Sequence, residues 1–156
     1  MNQNLFINTA SLLTHWQGHR ALSRKVFLAF PDESLHRFSI GGMRPYAQLF
    51  LEMIKMSAPS LKGFATGEWE NLNFNETYSK DDLLRMWDQA TLDINYWWNQ
   101  IKPEKFQEVD KAFGQWEGKV YDLILYLIDN EIHHRGQGYV YLRALGIEPP
   151  FFWDRA

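Results

Sequence analysis

Residues 119–146 read KVYDLILYLIDNEIHHRGQGYVYLRALG. Advancing 100° per residue places Val120, Leu123, Ile124, Leu127, Gly138, Tyr141, Leu142 and Leu145 on one stripe, the signature of an amphipathic helix packed on other helices. Gly146 supplies a C-terminal cap. Glu131 and His134 fall inside the stripe, Asn130 lies on its edge, and His133 points well away. Polar side chains therefore interrupt the apolar face midway while both flanks stay apolar. Such groups cost free energy unless they are paired, hydrogen-bonded or bound to something. One reading is a structural network, with Glu131 paired to an arginine or to His134 and Asn130 bonded to backbone. The other is a metal or substrate site inside the core, where helical bundles build them. This helix alone favours the network.

Three further segments carry helical periodicity. The first, 4–30, sets Leu5, Thr9, Leu12, Leu13, Trp16 and Phe27 near one face and stops at Pro31. The second begins at Pro45 and is expected to end near Ser57, with Tyr46, Leu49, Phe50, Met53 and Ile54 inward. The third opens on Ser79, which can form a capping box with Asp82, and is expected to reach Ile101 before Pro103. Between the second and third, 58–78 reads as a long loop whose Phe64, Trp69 and Phe74 pack on the body. A short helical turn is expected within 104–112, and the tail 147–156 as an extended aromatic anchor. No stretch alternates with strand period, and there is no internal repeat. Four amphipathic helices without a sheet must cover one another, which implies an all-α four-helix bundle in a single domain, 1–156.

The chain has 156 residues, enough for one well-filled core. Hydrophobic residues make up 46% and charged residues 22%, a globular balance. Aromatics reach 16%, with seven Trp; most are expected to pack, and some to line a cavity. A net charge of -3 with scattered Lys and Arg gives no footprint for nucleic acid. Cysteine is absent, which excludes disulfides, zinc ribbons and a protein thiol nucleophile. Neither a signal peptide nor a membrane span is visible, so a soluble cytoplasmic protein is expected.

Other polar residues bear two interpretations. His15 and His19 form an i, i+4 pair that can chelate a metal, or sit half-exposed beside an interface. Glu52 flanks the Leu49 and Met53 face and by periodicity is a solvated surface residue. Glu131 and His134 have the Glu-x-x-His spacing of di-iron bundles, but the second copy, Glu33 to His36, falls in the break after the first helix. Arg135 is expected to pair with an acidic neighbour, Gln137 to bond loop backbone, and Gly138 to admit a neighbouring helix.

NEIHHRGQGYVYLRALGIEPP at 130–150 looks very like the closing motif of the DinB/YfiT-like superfamily, and HWQGHR, FSIGGMRP and LKGFATGEW resemble one subgroup of it. The resemblance spans nearly the whole chain. It implies an up-down-down-up four-helix bundle, usually dimeric. Better-known members hold a divalent metal, often nickel or zinc, through three histidines, one on helix two and two spaced i, i+4 on the motif helix. Related enzymes use that metal to activate a low-molecular-weight thiol for transfer or isomerisation. Carried onto this chain, the second histidine of the pair is His134, the first is replaced by Asn130, and the helix-two ligand matches Glu52. Glu52, Asn130 and His134 then form the implied metal set, for nickel, zinc or manganese, with His15 or His19 as further donors.

Three functions are consistent with these observations. A metal-dependent transferase-like enzyme would activate a small thiol or water, with Glu131 orienting the site or shuttling a proton. A non-catalytic stress or small-ligand-binding bundle would have lost the metal, and Asn130 speaks for that. A homodimeric scaffold would spend the apolar excess on a subunit interface. No nucleic acid or membrane partner is expected in any of them.

Overall fold

A computed structural model describes residues 6–156. The expected helical positions Asn4 and Leu5 lie outside the described residues. Helix α1 spans Thr9–Ala29, capped by Asn8, whose side chain accepts from the Ser11 amide at 2.8 Å. Pro31 ends it as anticipated, and a short α2, Asp32–Arg37, follows at once. α2 begins with two acids and ends with His36 and Arg37, the order that a helix dipole favours.

α3 spans Tyr46–Thr66, well past the expected stop at Ser57. Pro59 lies inside it and lacks the amide that would bond Lys55, a penalty of about 3 kcal/mol. The continuing inward row of Ala58, Leu61 and Phe64 is buried; Leu61 and Phe64 alone contribute about 1.5–3 kcal/mol each. Burial therefore outweighs the missing bond. Hydroxyls of Ser57 and Ser60 turn back to the carbonyls of Ile54 and Met56, at 3.0 and 2.5 Å. Gly67 closes the helix at φ 78. The chain then folds back, and Trp69 packs edge-on against Phe64 with centroids 5.3 Å apart. A Cβ on Gly63 would collide with the Trp69 indole, so glycine is required for this approach.

α4 spans Lys80–Trp98, with Ser79 accepting from the Asp82 amide at 3.1 Å. A 3-10 turn, Pro103–Gln107, then leads into strand β1, Val109–Ala112, antiparallel to β2, Trp116–Lys119. This hairpin corrects the expectation of no strand. Ala112 is its one buried residue, so four-residue strands leave no alternation to detect. Phe113 in its turn has φ 53, where an L-residue costs about 1–2 kcal/mol. α5, Val120–Ala144, completes the chain.

Among the described residues, these four helices of 19 or more residues surround one core, and the helical class expected from the pattern holds. α1 runs antiparallel to α4: Gln17 bonds Asn95, Arg24 pairs with Asp88, and Lys80 reaches the Phe30 carbonyl. α3 runs antiparallel to α5, with Tyr46 against Gly138 and Glu52 against His134. A Gly138 Cβ would lie 2.5 Å from Tyr46 Cε2, so the expected close approach is real. Stacked rings join the layers, Phe27 on Phe50 at 3.9 Å and Phe50 on Trp87 at 4.4 Å. The tail is tied down differently from expectation. Phe151, Phe152 and Trp153 are exposed, while Ile147 packs on the core, Asp154 pairs with Lys25 at 2.8 Å and Arg155 lies against Gly18. Among the described residues no helix is long and apolar enough to cross a membrane.

Candidate functional site

The polar residues of α5 divide between two faces. Glu131 points toward α1 and is 2% exposed. Its Oε1 accepts from the Ser23 hydroxyl at 2.8 Å, and its Oε2 from Trp16 Nε1 at 3.0 Å and Arg20 Nη1 at 3.5 Å. Arg20 in turn donates to Thr91 Oγ1 and the Trp87 carbonyl, and lies 3.7 Å from the centroid of the Trp87 ring. Burial pulls its pKa down to about 10 while Glu131 opposes the shift, so the guanidinium stays charged at neutral pH. Trp16, Arg20 and Ser23 share the face of α1 that carries Phe27. Thus one buried ion pair, fully hydrogen-bonded, fills the centre.

Arg135 adds a second buried guanidinium beside it. It donates to the His19 carbonyl at 3.1 Å, to Ser23 Oγ at 3.3 Å and to His19 Nδ1 at 3.0 Å, in place of the expected acidic partner. A guanidinium can only donate, so His19 carries its proton on Nε2, which faces His15 Nε2 at 3.1 Å. Burial first, then Arg135, Arg155 and His15, hold the His19 pKa down to about 4. His15 and His19 thus meet each other and Arg135; they do not join Glu52 and His134.

On the other face, α3 and α5 bring Glu52 and His134 together, Oε1 to Nε2 at 3.0 Å. Arg44, just before α3, holds Glu52 Oε2 at 2.6 Å. His134 Nδ1 faces Gln137 Oε1 at 2.7 Å, and Gln137 donates to Met43 Sδ at 3.1 Å rather than to loop backbone. With that amide orientation both ring nitrogens face oxygens. A neutral ring satisfies one of them, and a doubly protonated ring both. Asn130 stays apart, its Nδ2 directed at Met56 Sδ 4.0 Å away. Glu52 is thus no solvated surface residue, as periodicity alone suggests, but a half-buried acid with two charged or polar partners.

The sequence profile of the DinB family matches residues 1–154. This chain belongs to the DinB family. Two solved DinB-like proteins share its fold. One, from Bacillus cereus, has a TM-score of 0.76 at 16% identity, over 91% of this chain and 95% of that one. The other, from Bacillus subtilis, has a TM-score of 0.74 at 20% identity, over 93% and 99%. No curated protein matches the chain.

For a DinB-family chain the question is whether these donors fit a divalent metal. The resemblance implies three imidazoles; here there is one, already bonded to Glu52, whose second oxygen holds Arg44. Among the described residues no three His, Cys, Asp or Glu side chains converge. The set does not fit the three-histidine metal.

Arg44 and Gln137 fill out a closed network instead, and its electrostatics make a prediction. The bond from His134, then Arg44, hold the Glu52 pKa to about 2 against the opposing effect of burial. A depressed carboxyl pKa stabilises the fold fully above the unfolded value near 4.5, and that contribution is lost as pH falls through about 2. Glu52→Gln is therefore expected to cost roughly 1–3 kcal/mol at neutral pH and to flatten the stability profile between those values. Urea unfolding at a series of acidic pH values checks it; a wild-type slope retained in the variant would contradict it.

Proposed function

We propose that this chain is a small-ligand-binding member of the DinB family whose metal site has become an ion-pair network. The observation that carries the reading is the Arg44–Glu52–His134 chain, with contacts of 2.6 and 3.0 Å. A guanidinium already compensates the carboxylate, and the ring nitrogen that would face a metal faces Glu52 Oε1. Asn130 adds a weak amide donor one turn away, turned to Met56. A metal-dependent transferase acting on a thiol or water would require Glu52 and His134 to part and Arg44 to leave. Glu131, the residue suggested for orientation or proton transfer in such an enzyme, has both oxygens committed to α1.

The test is metal content by plasma mass spectrometry on untagged protein incubated with nickel, zinc and manganese. Wild type is expected to carry far less than one ion per chain. Arg44→Ala, which removes the competing cation, is expected to take up more. Near-stoichiometric metal in wild type that disappears in His134→Ala would overturn the reading and restore the transferase.

A further inference from the structure

A cleft of about 460 Å³ opens between the second half of α3, the β1–β2 hairpin and the first half of α5. It touches Met56, which also meets Asn130, but includes none of Glu52, Glu131 or His134. Met56 and Phe64 form one wall, Phe113 and Trp116 a second, Tyr126 and Leu127 a third. Its size is that of a pocket for a small organic molecule. Trp116 and Tyr126 remain 52% and 59% exposed, so large parts of both rings border the cleft open to solvent.

Two observations narrow the occupant. The charged residues lining the cleft are Glu117 and Asp122, and no Lys, Arg or His joins them among the described residues. Carboxylates beside aromatic faces attract a cation and repel an anion. The second is Phe113, which with Gly114 forms the hairpin turn, both at positive φ, 53 and 68. Here the ring packs on Trp69 at 4.9 Å and stands 6.1 Å from Trp116, nearly perpendicular at 83°, forming a corner of the cleft. Asp122 also sits in the first turn of α5, where any carboxylate is favourable, so its role in binding needs a direct test.

We infer that this cleft binds an organic cation, a protonated or quaternary amine on a compact apolar body. The charged head lies against Trp116 and Tyr126 within reach of Glu117 and Asp122, and the body contacts Met56, Phe64 and Leu127. The inference extends the binding reading above, but its test is independent of metal content, so either can fail alone.

The experiment is calorimetric titration of the full chain with benzyltrimethylammonium, benzyl alcohol and benzenesulfonate, three aromatic probes differing in charge. The cation is expected to bind and the sulfonate not, with the alcohol weaker by about fivefold or more. Trp116→Ala should weaken the cation about fivefold, and Asp122→Asn with Glu117→Gln about threefold, with a smaller dependence on salt. Circular dichroism melts confirm that each variant is folded. Absence of cation binding, equal binding of all three probes, or full affinity in folded Trp116→Ala would each overturn the inference.

Discussion

Glu131→Ala is expected to destabilise the protein by about 3–5 kcal/mol, because removing one partner of a buried ion pair strands the other. Arg20 is 1% exposed, and its remaining partners, Thr91 Oγ1 and the Trp87 carbonyl, carry no formal charge. Ser23 and Trp16 would lose their acceptor as well. For a domain of this length such a loss lowers the melting temperature by roughly 6–20 °C. Replacing both partners, Glu131→Leu with Arg20→Met, removes the stranded charge and is expected to be less damaging than Glu131→Ala alone. Thermal and urea unfolding of the single and double variants form the cycle that measures it. A loss below about 1 kcal/mol in Glu131→Ala would show that water reaches Arg20 and that the pair is not a closed centre.

The helices that carry a strong apolar period were legible. Val120, Ile124, Leu127, Gly138, Tyr141 and Leu142 are buried as the 100° stripe required, and His133 is exposed. Boundaries failed where local signals and burial conflict. The second helix is expected to end near Ser57, yet it continues through Pro59, with Leu61 and Phe64 carrying α3 another two turns into the core. The β1–β2 hairpin was invisible for the opposite reason. Only Ala112 of its eight strand residues is buried, so its pairing rests on backbone bonds and the Phe113–Gly114 turn, which leave no hydrophobic pattern. The tail misled because three adjacent aromatics suggested an anchor, whereas the tail is held by Ile147 on the core, the Asp154–Lys25 ion pair and Arg155 against Gly18.

The site was half legible. An acid in an apolar stripe needs a partner, and an arginine was among the partners considered for Glu131. That the arginine is Arg20 could have been found, since Trp16, Arg20, Ser23 and Phe27 recur at i, i+4, i+7 and i+11 on α1. Arg20 and Ser23 are a polar break on that row, matching the one in α5. Glu52 was raised from the surface by resemblance alone, and the structure puts it against His134. Arg44 could not be found from periodicity: it lies in the irregular segment before α3, where no helical period fixes its distance from Glu52. Nor could sequence show that Glu131 and His134, three residues apart, would serve different networks. The angle of 300° between them, equivalently 60°, is enough to send one toward α1 and the other toward α3.

His19 gives the fold an acid sensitivity that the Glu52 network does not. Its pKa, held at about 4 by burial and by Arg135, lies below the usual 6.5. Between those values the unfolded chain binds a proton that the folded chain refuses, so stability falls as pH is lowered from about 6.5 to about 4. Above that window the group contributes no pH dependence, and below it no further loss. The full shift sets an upper bound of about 3 kcal/mol. Glu52 acts in the next window down, from near 4.5 to about 2. The two windows barely overlap, which makes the contributions separable by substitution. His19→Gln is expected to flatten the stability profile from pH 6.5 to 4 and leave the more acidic slope intact. Glu52→Gln should do the reverse. Urea unfolding across both windows measures each slope. A His19→Gln profile as steep as wild type between pH 6.5 and 4 would mean that His19 takes up its proton in the folded state, which Arg135 at 3.0 Å from Nδ1 opposes.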